Sequence, residues 1–129
     1  MQAITLSAAL IAVANAAGAT HASKVCVTNS GGYDLYWWFT DLLSGAESSH
    51  SGTYPIDQTR CMDVAVEGLA EGDLLSVYVH AVAGVTKSAD TAIIYQSSPA
   101  ITVTFTCGGT TLNFNCRLNG EGNEAEFLQ

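Results

Sequence analysis

Positive charge is the scarcest property of this 129-residue chain, which has four Lys and Arg against twelve Asp and Glu and a formal net charge of −8. Binding to a nucleic-acid backbone rests on Lys and Arg neutralising phosphates, so nucleic acid is excluded as a partner and strong attraction to anionic lipid is disfavoured. Charge of either sign is missing from the first 22 residues, since every charged side chain lies from Lys24 onward. Long apolar runs are missing too. A membrane-spanning helix needs about 20 predominantly apolar residues, and Thr5, Ser7 and Asn15 interrupt the Ala-rich start, so no transmembrane segment is expected in the mature chain. No Asn-x-Ser/Thr sequon occurs, and there is no Gly-x-Ser-x-Gly elbow, no His-Glu-x-x-His and no Gly-rich phosphate loop. Those absences remove the common motif-bearing hydrolases, and the reading is of a protein that is not an enzyme, with no cofactor.

What the N-terminus does hold is an apolar stretch, residues 3–14, running into the small-residue series Ala14-Asn15-Ala16, Ala17-Gly18-Ala19 and Thr20-His21-Ala22. This pattern reads as a secretory signal peptide over residues 1–22, with cleavage after Ala16, Ala19 or Ala22. A secreted, extracellular destination places Cys26, Cys61, Cys107 and Cys116 in an oxidising compartment, where an even count implies two disulfides rather than a metal or redox site.

Past the leader, apolar residues recur with period two between short Gly, Asn, Asp and Ser clusters, which argues for an all-β domain over residues 23–118. Seven or eight strands in so short a chain suggest an antiparallel two-sheet β-sandwich. A polar strand is expected over residues 46–54. In Ile101-Thr102-Val103-Thr104-Phe105-Thr106-Cys107 the odd positions are apolar, and in Thr111-Leu112-Asn113-Phe114-Asn115-Cys116 the even ones are. With Gly108-Gly109 as a two-residue turn, Phe105 falls opposite Leu112 and Ile101 opposite Cys116. That register holds Cys107 and Cys116 about 20 Å apart at roughly 3.3 Å per residue, beyond the ~7 Å that a disulfide allows between α-carbons. It leaves Cys26–Cys116 with Cys61–Cys107, or Cys26–Cys107 with Cys61–Cys116. The tail, residues 119–129, has three glutamates and little to bury, and is expected to be flexible.

Chemistry-bearing residues are scattered. Glu47-Ser48-Ser49-His50-Ser51 holds a carboxylate, hydroxyls and an imidazole, and His80 lies on the opposite face of its strand from Val77 and Val79; solvated loop residues explain both. Zinc at His50 and His80 would need ligands that nothing in their spacing supplies. Asp34, Asp41, Asp57, Asp63, Asp73 and Asp90 lie in or near expected turns, and Asn119-Gly120-Glu121-Gly122-Asn123-Glu124 is oxygen-rich but lacks EF-hand spacing, so no metal site is assigned. The strongest feature is aromatic: Tyr33, Tyr36, Trp37, Trp38 and Phe39 fall within seven residues. Period two sends Leu35, Trp37 and Phe39 to the core and Tyr36 and Trp38 outward. An outward Trp beside a Tyr on a strand suits stacking against a sugar ring or entry into a lipid interface, because such rings join apolar area to a polar edge. A covering loop or tail, or a contact with a second copy, would use the same surface. Tyr54, Tyr78 and Tyr95 are possible extensions of it.

In architecture, short strands with outward aromatics resemble secreted lectin-like and aegerolysin-like sandwiches, though this chain matches no motif of either, so the likeness implies a sandwich and no site. The functional expectation is a non-catalytic β-sandwich that binds a carbohydrate, lipid or protein surface, with Tyr36 and Trp38 as the ligand-binding anchors. The alternatives are a membrane-active protein, pore-forming or lipid-binding, and a self-associating subunit of an extracellular assembly.

Overall fold

The structure is a computed structural model that describes residues 20–119. Most of the expected leader, residues 1–19, and residues 120–129 of the acidic tail lie outside the described residues. Nine strands make up the described chain: β1 Thr20–Ala22, β2 Lys24–Asn29, β3 Leu35–Asp41, β4 Gln58–Asp63, β5 Leu74–Ala81, β6 Thr86–Ser88, β7 Ile93–Tyr95, β8 Thr102–Thr110 and β9 Asn113–Leu118, with a 3₁₀ helix at Val64–Glu67. They form two sheets. The five-stranded sheet runs β1-β7-β5-β3, with β6 also paired to β5, and the four-stranded sheet runs β4-β2-β8-β9.

Strand periodicity builds the core. Alternate residues of β3, β5 and β8 are buried, because successive side chains of a strand point to opposite faces. Leu35, Trp37 and Phe39 from β3 meet Val25 and Val27 from β2 and Val103 and Phe105 from β8, all at 0 % exposure. Tyr54 closes the layer, its hydroxyl donating to the Val27 carbonyl at 2.6 Å, and burial raises its pKa.

The two sheets are mixed rather than antiparallel, and the strand count exceeds the expected seven or eight. β1 pairs parallel with β7 and β2 pairs parallel with β8. A parallel pair needs a long crossover and leaves no local hairpin signal, so neither pairing shows in the sequence around it. Residues 46–54, expected to form a polar strand, form none: they run beside β3 and make only isolated bridges, Leu35 with Tyr54 and Thr40 with Glu47.

The final hairpin corrects both the register and the disulfides. Its turn is Thr111-Leu112, flanked by the pair Thr110 and Asn113, and it sets Cys107 opposite Cys116 and Phe105 opposite Leu118. Gly108 and Gly109 belong to β8. Gly109 has φ 111°, and a Cβ there would press on the Asn113 carbonyl and the Phe114 backbone; the glycine serves a close backbone approach inside the hairpin. Moving the turn by three residues displaces each partner by six, an even number, so side chains that stay in the strands keep their faces and the alternating pattern fits both registers, while Leu112, expected opposite Phe105, lies in the turn at 70 % exposure. The bridges are Cys26–Cys61, between paired β2 and β4, and Cys107–Cys116, within the hairpin. Both long-range pairings are thereby overturned. Two disulfides are typical of proteins in oxidising, extracellular compartments.

Candidate functional site

The outward face of the five-stranded sheet carries the aromatic residues that the core does not take. On β3 these are Tyr36 and Trp38, both half-buried. Antiparallel pairing sets Tyr36 opposite His80, Trp38 opposite Tyr78 and Thr40 opposite Ser76, and β6 adds Thr86 beside His80 and Ser88 beside Tyr78. Cross-strand neighbours on one face stand close enough for rings to meet. The Tyr36 and Trp38 centroids are 5.8 Å apart with planes 30° from parallel, and Trp38 and Tyr78 are 5.9 Å apart at 19°. Tyr36 also meets His80 at 5.2 Å, and the His80 Nδ1 lies 2.8 Å from the Thr86 hydroxyl. A continuous aromatic plate bordered by hydroxyls results.

A strap from residues 46–54 adds the fifth ring. The outer edge of β3 would otherwise present unpaired amides, a template for unwanted pairing. Here Leu35 N donates to Tyr54 O and Asp41 N to Ala46 O, while Trp37 N donates to Ser51 Oγ at 3.0 Å and Phe39 N to Ser48 Oγ at 2.9 Å. In return Ser48 N and Ser51 N donate to the Phe39 and Trp37 carbonyls. Serine hydroxyls thus stand in for two backbone acceptors. Between these two anchors sits His50, whose imidazole lies 4.6 Å from Trp38 and 5.2 Å from Tyr36, stacked on both. Ser49 ties the strap to the 3₁₀ helix through hydrogen bonds from its amide and hydroxyl to the Glu67 carboxylate.

No protein-family model matches the chain, and no curated protein matches it. Among solved structures it is similar to pneumolysin, at a TM-score of 0.42 and 15 % identity over 75 % of this chain and 23 % of that one. The chain therefore spans about a quarter of the length of that match.

Tyr36 and Trp38 are brought together as the sequence pattern implies. Tyr78 joins them, whereas Tyr54 and Tyr95 are buried in the core at 1 % and 7 % exposure. His50 and His80 both reach the Tyr36 ring, a role in the plate that sequence reasoning missed. For His80 the signal was present, since it shares the outward period of Tyr78; His50 is placed by loop hydrogen bonds that no periodicity encodes. Of the six aspartates, Asp41 and Asp63 end strands β3 and β4 and the other four lie in connections between strands. Asp63 caps the 3₁₀ helix, its carboxylate accepting from Ala65 N, and Asp41 at the end of β3 accepts from Leu43 N at 2.9 Å and from Ser44 N. The Leu43 hydrogen bond holds the Asp41 carboxyl below its ordinary range against the opposing pull of desolvation. Among the described residues no three His, Cys, Asp or Glu side chains gather as a metal ion would require, and no helix is long and apolar enough to cross a membrane.

Proposed function

We propose that this protein is a secreted, non-catalytic binding module that docks its outward aromatic face, anchored by Tyr36 and Trp38, onto an extracellular ligand or surface. The observation that carries this reading is the gathering of Tyr36, Trp38, Tyr78, His50 and His80 on one sheet face at centroid distances of 4.6 to 5.9 Å. Core formation does not require those rings there: the opposite face of the same strands already fills the interior. Flat aromatic area beside hydroxyls is the composition of a recognition surface. Retention on immobilised polysaccharides and on phosphatidylcholine vesicles tests it. Trp38→Ala should lose retention on whichever probe holds the parent protein while keeping its melting temperature within a few degrees; undiminished retention would move the site elsewhere.

A second reading, contact with a lipid surface, is favoured by apolar side chains at one end of the sheet. Leu43 is 87 % and Leu42 44 % exposed, and Leu42 N donates to the carbonyl of Leu74, itself 36 % exposed. Leu43→Asp should abolish vesicle binding if these residues make the contact, and should leave polysaccharide retention intact.

A further inference from the structure

A ring already occupies the aromatic face. Inserted between Tyr36 and Trp38, the His50 imidazole would hold their centroids about 7 Å apart, twice the ~3.5 Å contact distance between carbon atoms. They are 5.8 Å apart, with His50 at 5.2 Å from one and 4.6 Å from the other. The three centroids close a triangle, and the imidazole plane stands 21° and 22° from the two rings. His50 therefore stacks on both rings at once and covers ring area that a flat ligand would otherwise use. Its strap is fixed by Ser48 and Ser51, and His50 itself is exposed, so rotation about its side-chain bonds clears the face without moving the backbone.

The ligand class follows from three further features. Among the described residues the buried Trp38 Nε1 has no hydrogen-bond partner, as the Trp37 Nε1 and the Tyr33 hydroxyl also have none, and of the three only Trp38 belongs to the outward face, where a ligand acceptor can offset the cost of the unmade hydrogen bond. The rings lie within 30° of parallel where they stack on Trp38, which makes a plate and not the steep-walled cage that holds a quaternary ammonium group. Around them stand Thr40, Ser76, Thr86 and Ser88, hydroxyl-bearing residues suited to other hydroxyls. A pyranose ring presents an apolar face to stack and edge oxygens to accept an N–H, and the net charge of −8 disfavours acidic sugars.

Resting on the binding role proposed above, we infer that the Tyr36–Trp38 plate takes a neutral pyranoside and that His50 is a displaceable lid competing with it for the same rings. The test uses Trp37→Phe as the parent, so that Trp38 is the sole tryptophan, with His50→Ala and His50→Phe added singly. Acrylamide quenching is read alone and with a soluble β-glucan, a mannan, a galactan, polygalacturonate or phosphatidylcholine vesicles. Without additive, His50→Ala should leave Trp38 more readily quenched than in the parent, and it should bind a neutral polysaccharide about two- to tenfold more tightly, the range expected for one lost ring contact. His50→Phe, which keeps a flat ring, should leave Trp38 shielded. Unchanged quenching in His50→Ala, or weaker binding by it, overturns the lid. Protection of Trp38 by polygalacturonate or vesicles alone overturns the neutral pyranoside while the binding surface stands. No protection by any probe, even in His50→Ala, overturns both.

Discussion

Adjacent tryptophans meet opposite fates in this chain. Trp37 is fully buried and Trp38 lies in the outward plate, a split legible in the sequence because a half-buried strand alternates its faces. Side chains placed by loops carried no such signal, which is why His50 and the edge-capping serines Ser48 and Ser51 read only as solvated polar residues. Asp41 is a comparable case, a nearly buried carboxylate at 6 % exposure held by amides of its own turn. Because hydrogen bonding from Leu43 N lowers its pKa, Asp41 stabilises the fold above the ordinary carboxylate pKa of about 4, and that contribution is lost as pH falls through the lower folded value. Asp41→Ala should therefore melt below the parent at pH 7, with the gap closing under acid conditions. A gap that stays constant from pH 7 to pH 2 would assign the effect to packing alone.

At the scale of elements, the strands with an apolar face were legible and their partners were not. Periodicity gave the buried and outward faces of β3, β5 and β8. It failed to fix the last hairpin because an even displacement leaves the faces of strand residues unchanged, and Gly108-Gly109 offered a plausible turn where the backbone needed close approach instead. The disulfides that result sit in different surroundings. Cys107 and Cys116 are buried in the core at 0 % and 1 % exposure, while Cys61 is exposed on β4. Thiol attack requires access, so mild reductant should open Cys26–Cys61 first and leave Cys107–Cys116 intact until the domain unfolds. Differential alkylation followed by mass spectrometry reads the order; equal rates for the two bridges would contradict this placement.

For the whole molecule, an all-β, two-sheet, disulfide-bonded domain was legible from composition and period, and the mixed topology was not, since β2 and β8 are joined through most of the chain. The same topology bears on where the expected leader ends. Ala22 is fully buried, its carbonyl accepts from Gln96 N, and β1 extends the five-stranded sheet along β7. A chain starting at Thr20 keeps β1, whereas one starting at Ser23 lacks it and should lose roughly 1–2 kcal/mol, a fall of about 5–15 °C in melting temperature. Equal melting temperatures would show β1 to be dispensable. The aromatic face remains the central claim, and the two tryptophans supply its most direct test. In a nitrogen-15 NMR titration with a polysaccharide or vesicle probe that retains the protein, the Trp38 indole N–H resonance should shift while that of core Trp37 stays in place. A fixed Trp38 resonance at saturating probe would contradict the assignment of this face as the binding surface.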